Sequence, residues 1–381
     1  MPIIDLELDR NGADFVANQQ AMLKQIDEVA AIKQKVLERS LQEKPKFVKR
    51  GKMLPHERVQ HLLDAGSPFV ELCGLAGYML HDDKDGTEAG GNMIAGIGVI
   101  NGVRCLVGAS NSAIKGGTIS PSGLRKSLRL QQIAKQNKLP MVTLAESGGA
   151  NLNYAADIFV EGARSFANQA RLSAMGLPQV TVVHGNATAG GAYQPGLSDY
   201  MVVVRNKTAM FLAGPPLLKA ATGEVATEEE LGGAAMHAQV AGTAEYLAEN
   251  DADGIRQARD IVGMLGWDKI ANTASYAEPR FPIDDILGLI PCDLRKPYDV
   301  RSIIACLVDD SNFLDFKTEF DNQTVCGWAD LGGVTIGIIG NNGPITPQGA
   351  AKASQFIQLC DQTGRPLLFL HNTTGFMVGT E

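Results

Sequence analysis

The sequence predicts an α/β fold in which one unit occurs twice. Three observations carry this reading: short β-rich apolar runs alternate with helical stretches, glycine turns follow those runs, and the chain repeats itself. Shifted by 226 residues, 117–149 falls on 343–375 without a gap and with ten identities. They are Gly117/Gly343, Ile119/Ile345, Pro121/Pro347, Gly123/Gly349, Lys126/Lys352, Gln132/Gln358, Gln136/Gln362, Pro140/Pro366, Leu144/Leu370 and Gly149/Gly375. Unrelated segments of this length share roughly two, and so long a spacing implies a duplicated domain rather than a solenoid period. Gly375 stands six residues before Glu381, so the second copy is expected to be incomplete.

The elements follow in order. Residues 13–42 read as helix, with Phe15, Ala17, Met22, Ile26, Val29, Ile32, Val36 and Leu37 at helical spacing. A basic stretch, 44–52, leads to a second helix at 56–63, closed by Gly66, Ser67 and Pro68. From Ile94 the pattern changes. Strands are expected at 94–100, 103–107, 141–144, 180–183 and 201–204, alternating with helices near 123–136, 159–175 and 191–197. Thr227 to Glu230 reads as a capping box opening a helix. Pro279, Pro282, Pro291 and Pro297 break any long element before a second β/α series begins near Val300. The expected division is an N-terminal helical piece at 1–90, a first α/β domain at 91–273, a linker at 274–299 and the start of a second domain at 300–381.

Composition narrows the function. A chain of 381 residues with 45% hydrophobic content has room for about two full cores. It holds no run of about 18 apolar residues, and its opening, Met1 to Asp5, lacks the features of a signal peptide; no membrane association and a cytoplasmic location are expected. A net charge of −8 argues against nucleic acid as a partner. The six cysteines form no C-x-x-C pair and are expected as buried thiols, and no histidine spacing suits a metal, so none is expected. His184 and His237 are expected to be structural.

Two glycine turns after predicted strands are the chemical candidates: Glu146, Ser147, Gly148, Gly149, Ala150 and Asn151, and the run 185–193 with Gly190, Gly191, Ala192 and Tyr193. Bare backbone there lets N–H groups approach a ligand atom, as in an oxyanion hole for a thioester carbonyl turning into an enolate. The competing reading is that paired glycines merely permit tight turns. Neither turn fits a dinucleotide or P-loop fingerprint, and Ser147 does not sit in a nucleophile elbow. A basic cluster, Lys115, Gly116, Gly117 and Thr118 followed by Arg125, Lys126 and Arg129, suits phosphates, with an ordinary solvated helix face as the alternative.

The run FLAGPPLLKAATGE at 211–224, with 188–193, 115–118, 147–151, 50–52 and 66–69, resembles biotin-dependent acyl-CoA carboxylases. It is similar in particular to the carboxyltransferase (beta) subunits of the methylcrotonyl-CoA and geranyl-CoA branch, from about residue 15 to the end. The resemblance implies two crotonase-like domains, in agreement with the repeat. It further implies transfer of CO2 from carboxybiotin, carried by a biotin carboxylase/biotin carrier (alpha) subunit, to the γ carbon of a branched 2-enoyl-CoA. No protein acid–base pair stands out in the sequence, and in this family the biotin is thought to serve as the base.

The same resemblance implies Gly190 and Gly191, with Ala192, as the oxyanion hole. It places the CoA thioester along 115–118, the helix bearing Arg125, Lys126 and Arg129, the turn 147–150, Ala167 and Tyr193. Biotin is placed near Gly375 and Phe376, across a homodimer interface within a hexamer. The turn that should complete the biotin side is not among the 381 residues. Where methylcrotonyl enzymes read GTYYP and FFNQA, this chain has Ile119 and Ser120, and Ala167; the smaller side chains favour geranyl-CoA over 3-methylcrotonyl-CoA. The rival readings are a biotin-independent enoyl-CoA hydratase or hydrolase, and an inactive fragment that binds the partner.

Overall fold

Residues 2–269, 276–293, 295–373 and 375–379 are described by a computed structural model. The chain opens with α1 (Ala13–Leu41), α2 (Lys44–Lys49) and α3 (Pro55–Leu62), then the short strand β1 (Val70–Glu71). α2 gathers part of the basic stretch into a helix around buried Phe47, with a proline in its first turn. β2 (Met93–Ile100) and β3 (Val103–Ser110) form an antiparallel hairpin closed by Asn101 and Gly102, both at positive φ, as a two-residue turn of this hand requires. α4 (Pro121–Asn137) starts on the Ser120 hydroxyl, which accepts the Gly123 N–H at 3.1 Å, and crosses over to β4 (Met141–Ser147), parallel to β3.

α5 (Ala155–Ala174), β5 (Gln179–Thr188), α6 (Gly190–Gly196), β6 (Tyr200–Val204) and β7 (Ala209–Phe211) follow. α7 (Pro215–Thr222), α8 (Glu228–Gly232), β8 (Tyr246–Ala248) and α9 (Asp251–Met264) complete the series. The sheet runs β1-β2-β3-β4-β5-β6-β8, with β7 also paired to β5. Its central strands are apolar without alternation because both faces are covered. Val142, Val180, Val182 and Val204 pack with Ile255 and Ala258 of α9, while Val183, Met201 and Val203 pack with Met210 and Ala234. β5 serves two neighbours: Val180 to Val183 pair with β6, and Asn186 to Thr188 with β7. At that change of neighbour the β4–β5 register slips, between Ala145 and Ser147. Thr227 caps α8 as expected, its hydroxyl accepting the Glu230 N–H while Glu230 accepts the Thr227 N–H.

Two compact units emerge, Ala30–Ile270 and Met1–Val29 with Ala271–Glu381. The division falls within α1, so that residues 2–29 group with the second unit and 30–90 with the first. Arg10 grips Asp285 through bonds of 2.8 and 2.7 Å, and Phe15 lies so close to Gly288 that a Cβ there would strike its ring. The expected boundary at 273/274 lies outside the described residues.

The second unit contains α10 (Ile286–Leu289), α11 (Val300–Ala305), β9 (Leu314–Asp315), β10 (Thr324–Leu331), β11 (Val334–Asn341), α12 (Pro347–Gln362) and β12 (Leu367–Leu370), with sheet order β12-β11-β10-β9. Strand pairing repeats that of β1 to β4: antiparallel, antiparallel, then parallel. The details repeat as well. Thr346 caps α12 by accepting the Gly349 N–H at 2.9 Å, as Ser120 caps α4. Gly96 lies against the Val70 carbonyl and the Phe69 ring, and Gly327 against the Leu314 carbonyl and the Phe313 ring.

Lys126 and Lys352 are equivalent buried lysines. Lys126 donates to the carbonyls of Gly90 and Met93 at 3.1 and 2.7 Å, and Lys352 to that of Asp321 at 3.0 Å. Burial pushes the Lys126 ammonium down to about 8. The unfolded chain then binds more protons between pH 8 and the ordinary lysine value, so stability contributed by this site rises with pH across that window. Lys126→Met lacks the titration. Urea midpoints at pH 7, 8.5 and 10 are expected to show the wild type gaining on the variant by on the order of 3 kcal/mol as pH rises.

Four of the six cysteines are buried as expected; Cys73 is exposed and Cys292 half-buried.

Candidate active site

Both glycine turns stand where strands of the large sheet end, and Ser147 joins them. Its hydroxyl donates to the Gly117 carbonyl at 2.9 Å and accepts the Gly149 N–H at 3.1 Å. Its Cβ and Oγ lie 3.6 Å from where a Cβ on Gly191 would be. The loop 115–118 lines the other side, with Gly116 accepting the Gly148 N–H at 3.1 Å and the Ile119 N–H donating to Gly149 at 2.8 Å. Gly117 and Gly149 have φ of 69 and 89°, and a Cβ on Gly117 would collide with the Glu146 carbonyl; these two glycines are required by the backbone.

Gly190 and Gly191 are different. Both have helical backbone, and an added Cβ would meet nothing closer than 3.8 Å at Gly190 and 3.6 Å at Gly191. Neither turn geometry nor packing demands glycine there. Their N–H groups, and that of Ala150, have no acceptor among the described residues. Ala189, just before them, has φ 51° and ψ −122°, a conformation that costs an alanine about 1–3 kcal/mol. It is held there by its N–H to the Phe211 carbonyl at 3.1 Å and by the Ala192 N–H to its own carbonyl at 3.0 Å. The strand thus turns sharply into α6, whose first-turn N–H groups, those of Gly190 and Gly191 among them, have no intrahelical acceptor.

Beneath the turns lies a buried charge network. Glu146 accepts from Lys52 at 2.7 Å, Arg58 at 2.6 Å and Ser112 at 2.9 Å. Arg58 also reaches Asp251 at 2.9 Å, and Asp251 pairs with His184 Nδ1 at 3.0 Å. Burial alone would raise the Glu146 carboxyl, but Arg58 and Lys52 outweigh it and hold the group below its ordinary value. Burial, reinforced by Arg58, lowers His184, which is neutral at pH 7.

The basic cluster divides. Lys115 and Thr118 border a cavity of about 300 Å³ with Asp82, Asn151 and Tyr154, where Lys115 pairs with Glu88 and lies 3.6 Å from Asp82. Arg125 and Arg129 border a separate groove of about 610 Å³ with Lys135, Arg164 and Arg171. Tyr193 stacks at a tilt on Phe166, ring centres 5.0 Å apart, next to Gly190. His237 is structural as expected, bonded to the Met210 carbonyl and the Thr243 hydroxyl.

A match to the carboxyl transferase domain spans residues 46–381. The chain belongs to the carboxyl transferase domain family. It is 43% identical over 380 residues to a probable biotin-dependent acyl-coenzyme A carboxylase beta2 subunit of Mycobacterium tuberculosis, covering 98% of this chain and 70% of that one. It is also 43% identical to the mitochondrial methylcrotonoyl-CoA carboxylase beta chain of Dictyostelium discoideum, across 99% of this chain and 65% of the relative. The crystal structure of the beta subunit of P. aeruginosa geranyl-CoA carboxylase superposes with a TM-score of 0.93 at 67% identity, over the whole chain and 72% of that subunit. The chain thus spans about two thirds of the length of these carboxyltransferase relatives. The resemblance, the α/β fold and the carboxyltransferase assignment are borne out.

Within this carboxyltransferase, the expected residues Gly190, Gly191, Ser147, Gly148, Gly149, Ala150, Gly116 and Gly117 converge. Arg125 and Arg129 lie apart in their own groove, and Lys126, placed with them as a phosphate-binding cation, is buried and satisfied by backbone carbonyls. The repeat carries the signal, because Lys126 recurs as Lys352 while Arg125 and Arg129 become Ala351 and Gln355. Residue-level reasoning missed Arg58 and Asp251, and gave Lys52, Glu146 and Ala189, which lie in the motifs it singled out, no role of their own. Glu146, a lone carboxylate closing an apolar strand, was the available hint. In the second unit Ile345 donates to the Gly375 carbonyl at 3.0 Å and accepts the Met377 N–H at 2.8 Å, as Ile119 does with Gly149 and Asn151.

Proposed function

We propose that this chain carries the carboxyl-transfer site of a biotin-dependent acyl-CoA carboxylase, carboxylating the γ carbon of a branched 2-enoyl-CoA. Geranyl-CoA is favoured and 3-methylcrotonyl-CoA comes next. The observation that carries the reading is the pair Gly190 and Gly191, glycines that neither fold nor packing requires and whose N–H groups lack acceptors among the described residues. They donate to the thioester oxygen as negative charge gathers there, an interaction worth about 3 kcal/mol per donor. Ala150 adds a third N–H to the same rim. The acyl-CoA runs along Lys115 to Thr118, with Arg125 and Arg129 available to its phosphates. Ala167, exposed beside Phe166, leaves room for a longer isoprenoid chain.

Carboxybiotin, carried by a partner alpha subunit, supplies the carboxyl group and the base when bound. Gly375 and Phe376 fit its near side: they repeat the geometry of Gly149 and Ala150, and the Phe376 N–H has no acceptor among the described residues. Supply from the protein is less apt. Glu146, the carboxylate adjoining the turns, is clamped by two cations and a hydroxyl and holds no proton to exchange, which disfavours a hydratase. We further propose homodimers within a hexamer and a cytoplasmic location; among the described residues no helix is long and apolar enough to cross a membrane.

The test is carboxylation of geranyl-CoA and 3-methylcrotonyl-CoA with the biotinylated partner, ATP and bicarbonate. A higher kcat/KM for geranyl-CoA is expected. A preference for 3-methylcrotonyl-CoA would reverse the substrate assignment, and hydration without biotin would overturn the reaction class.

A further inference from the structure

We propose that Glu146, locked between Lys52 and Arg58, is a positioning residue that sets the turn at 147–150, and through Ser147 the placement of Gly191, for carboxyl transfer. This rests on the reaction proposed above. Glu146 directly precedes Ser147, and its side chain lies where the β4–β5 register slips. On β5 the slip contains His184, Gly185 and Asn186, and a Cβ on Gly185 would press onto the Glu146 carboxylate and the Lys52 ammonium. Such irregularities re-aim a strand next to a functional site. Here the re-aimed segments are the two that end in Gly149 and in Gly190.

The network spans this irregularity. Lys52 comes from the segment entering α3, Arg58 from α3 itself, Glu146 from β4, His184 from β5 and Asp251 from the start of α9. Asp251 additionally accepts the Met53 N–H at 2.8 Å, so the segment is pinned by backbone as well as by charge. With His184 neutral, two cations face two carboxylates and the cluster is balanced. Side-chain exposures of 1% for Arg58, 4% for Asp251 and 12% for Glu146 keep it nearly dry. Burying four charged groups is a poor route to stability compared with apolar packing, but it fixes geometry tightly. From Glu146 that geometry passes to Ser147, which holds Gly117 and Gly149 by hydrogen bonds and whose Cβ and Oγ lie 3.6 Å from where a Cβ on Gly191 would be.

The experiment uses the assembled enzyme with its biotinylated partner and three variants: Glu146→Gln, Lys52→Arg, and the double variant Lys52→Met/Glu146→Gln. Misplacement of catalytic groups by about 1 Å costs up to about 100-fold, so Glu146→Gln is expected to lower kcat by about 30-fold with KM for the acyl-CoA within about 3-fold. Lys52→Arg keeps the charge and should retain most of the wild-type kcat. The double variant restores charge balance, so its Tm should recover while kcat stays low. A merely structural role predicts that kcat recovers together with Tm, and that result, or a Glu146→Gln kcat within about 3-fold of wild type, overturns the inference. Amide exchange of peptides covering 145–151 and 186–193 is read in parallel, and should quicken in Glu146→Gln. Were wild type to show no carboxyl transfer, the proposed reaction would fail, and exchange at the two turns would decide the positioning role by itself.

Discussion

Gly191→Pro is expected to reduce carboxylation by about 100- to 1,000-fold in kcat, the loss typical of removing one oxyanion donor. Proline suits this position for three reasons. Gly191 lies in the first turn of α6, where a missing N–H breaks no helical bond; its N–H has no acceptor within the described residues; and a Cβ there reaches only an ordinary 3.6 Å contact with Ser147. The fold should therefore survive with a stability change of about 1 kcal/mol or less. The ring also places a carbon where the ligand oxygen would sit. Gly191→Ala keeps the donor and serves as the control, with kcat expected within about 10-fold of wild type. If proline and alanine prove equally active, the Gly191 N–H takes no part in the reaction.

Arg58→Met should destabilise the protein by roughly 3–5 kcal/mol at neutral pH, because it strands Glu146 and Asp251 in a site with a single remaining cation. The pH dependence is diagnostic. In the wild type both carboxyls sit below their ordinary values, so their contribution is present above about pH 4.5 and is lost as pH falls through the folded-state values. The variant lacks most of this contribution. The gap between urea midpoints should be widest near pH 7 and close as pH drops below about 4. A gap independent of pH would mean that Arg58 acts by packing volume alone.

Much of this was legible in the sequence because it depends on local pattern. Strands 94–100 and 201–204 and helices 123–136 and 191–197 were visible from periodicity and punctuation, and fall within about three residues of the observed elements. The repeat was legible only from Gly117 onward. Between hairpin and helix the first unit has ten residues, 111–120, and the second only five, 342–346, so no single shift aligns both hairpins and helices. Within the hairpins, Gly96/Gly327, Gly102/Gly333 and Val103/Val334 alone are identical in register. Pattern cannot locate partners that meet across 88 or 193 residues of chain, the separations of Arg58 from Glu146 and Asp251. Lys126 misled for a related reason: a lysine beside two exposed arginines looks like their companion until the fold turns it inward.

The duplication also imposes a choice on the folding chain. β3 and β11 each offer an edge to a parallel strand arriving after a helix, and β4 and β12 compete for both. In the native pairing Leu106 meets Met141, 35 residues on, whereas Leu367 of β12 lies 261 residues on. Loop closure favours the nearer strand by roughly 2 kcal/mol. That margin, reinforced by α4 and α12 each tethering its own strand, directs each copy to close on itself first and confines exchange between copies to chains whose local helix has failed to form.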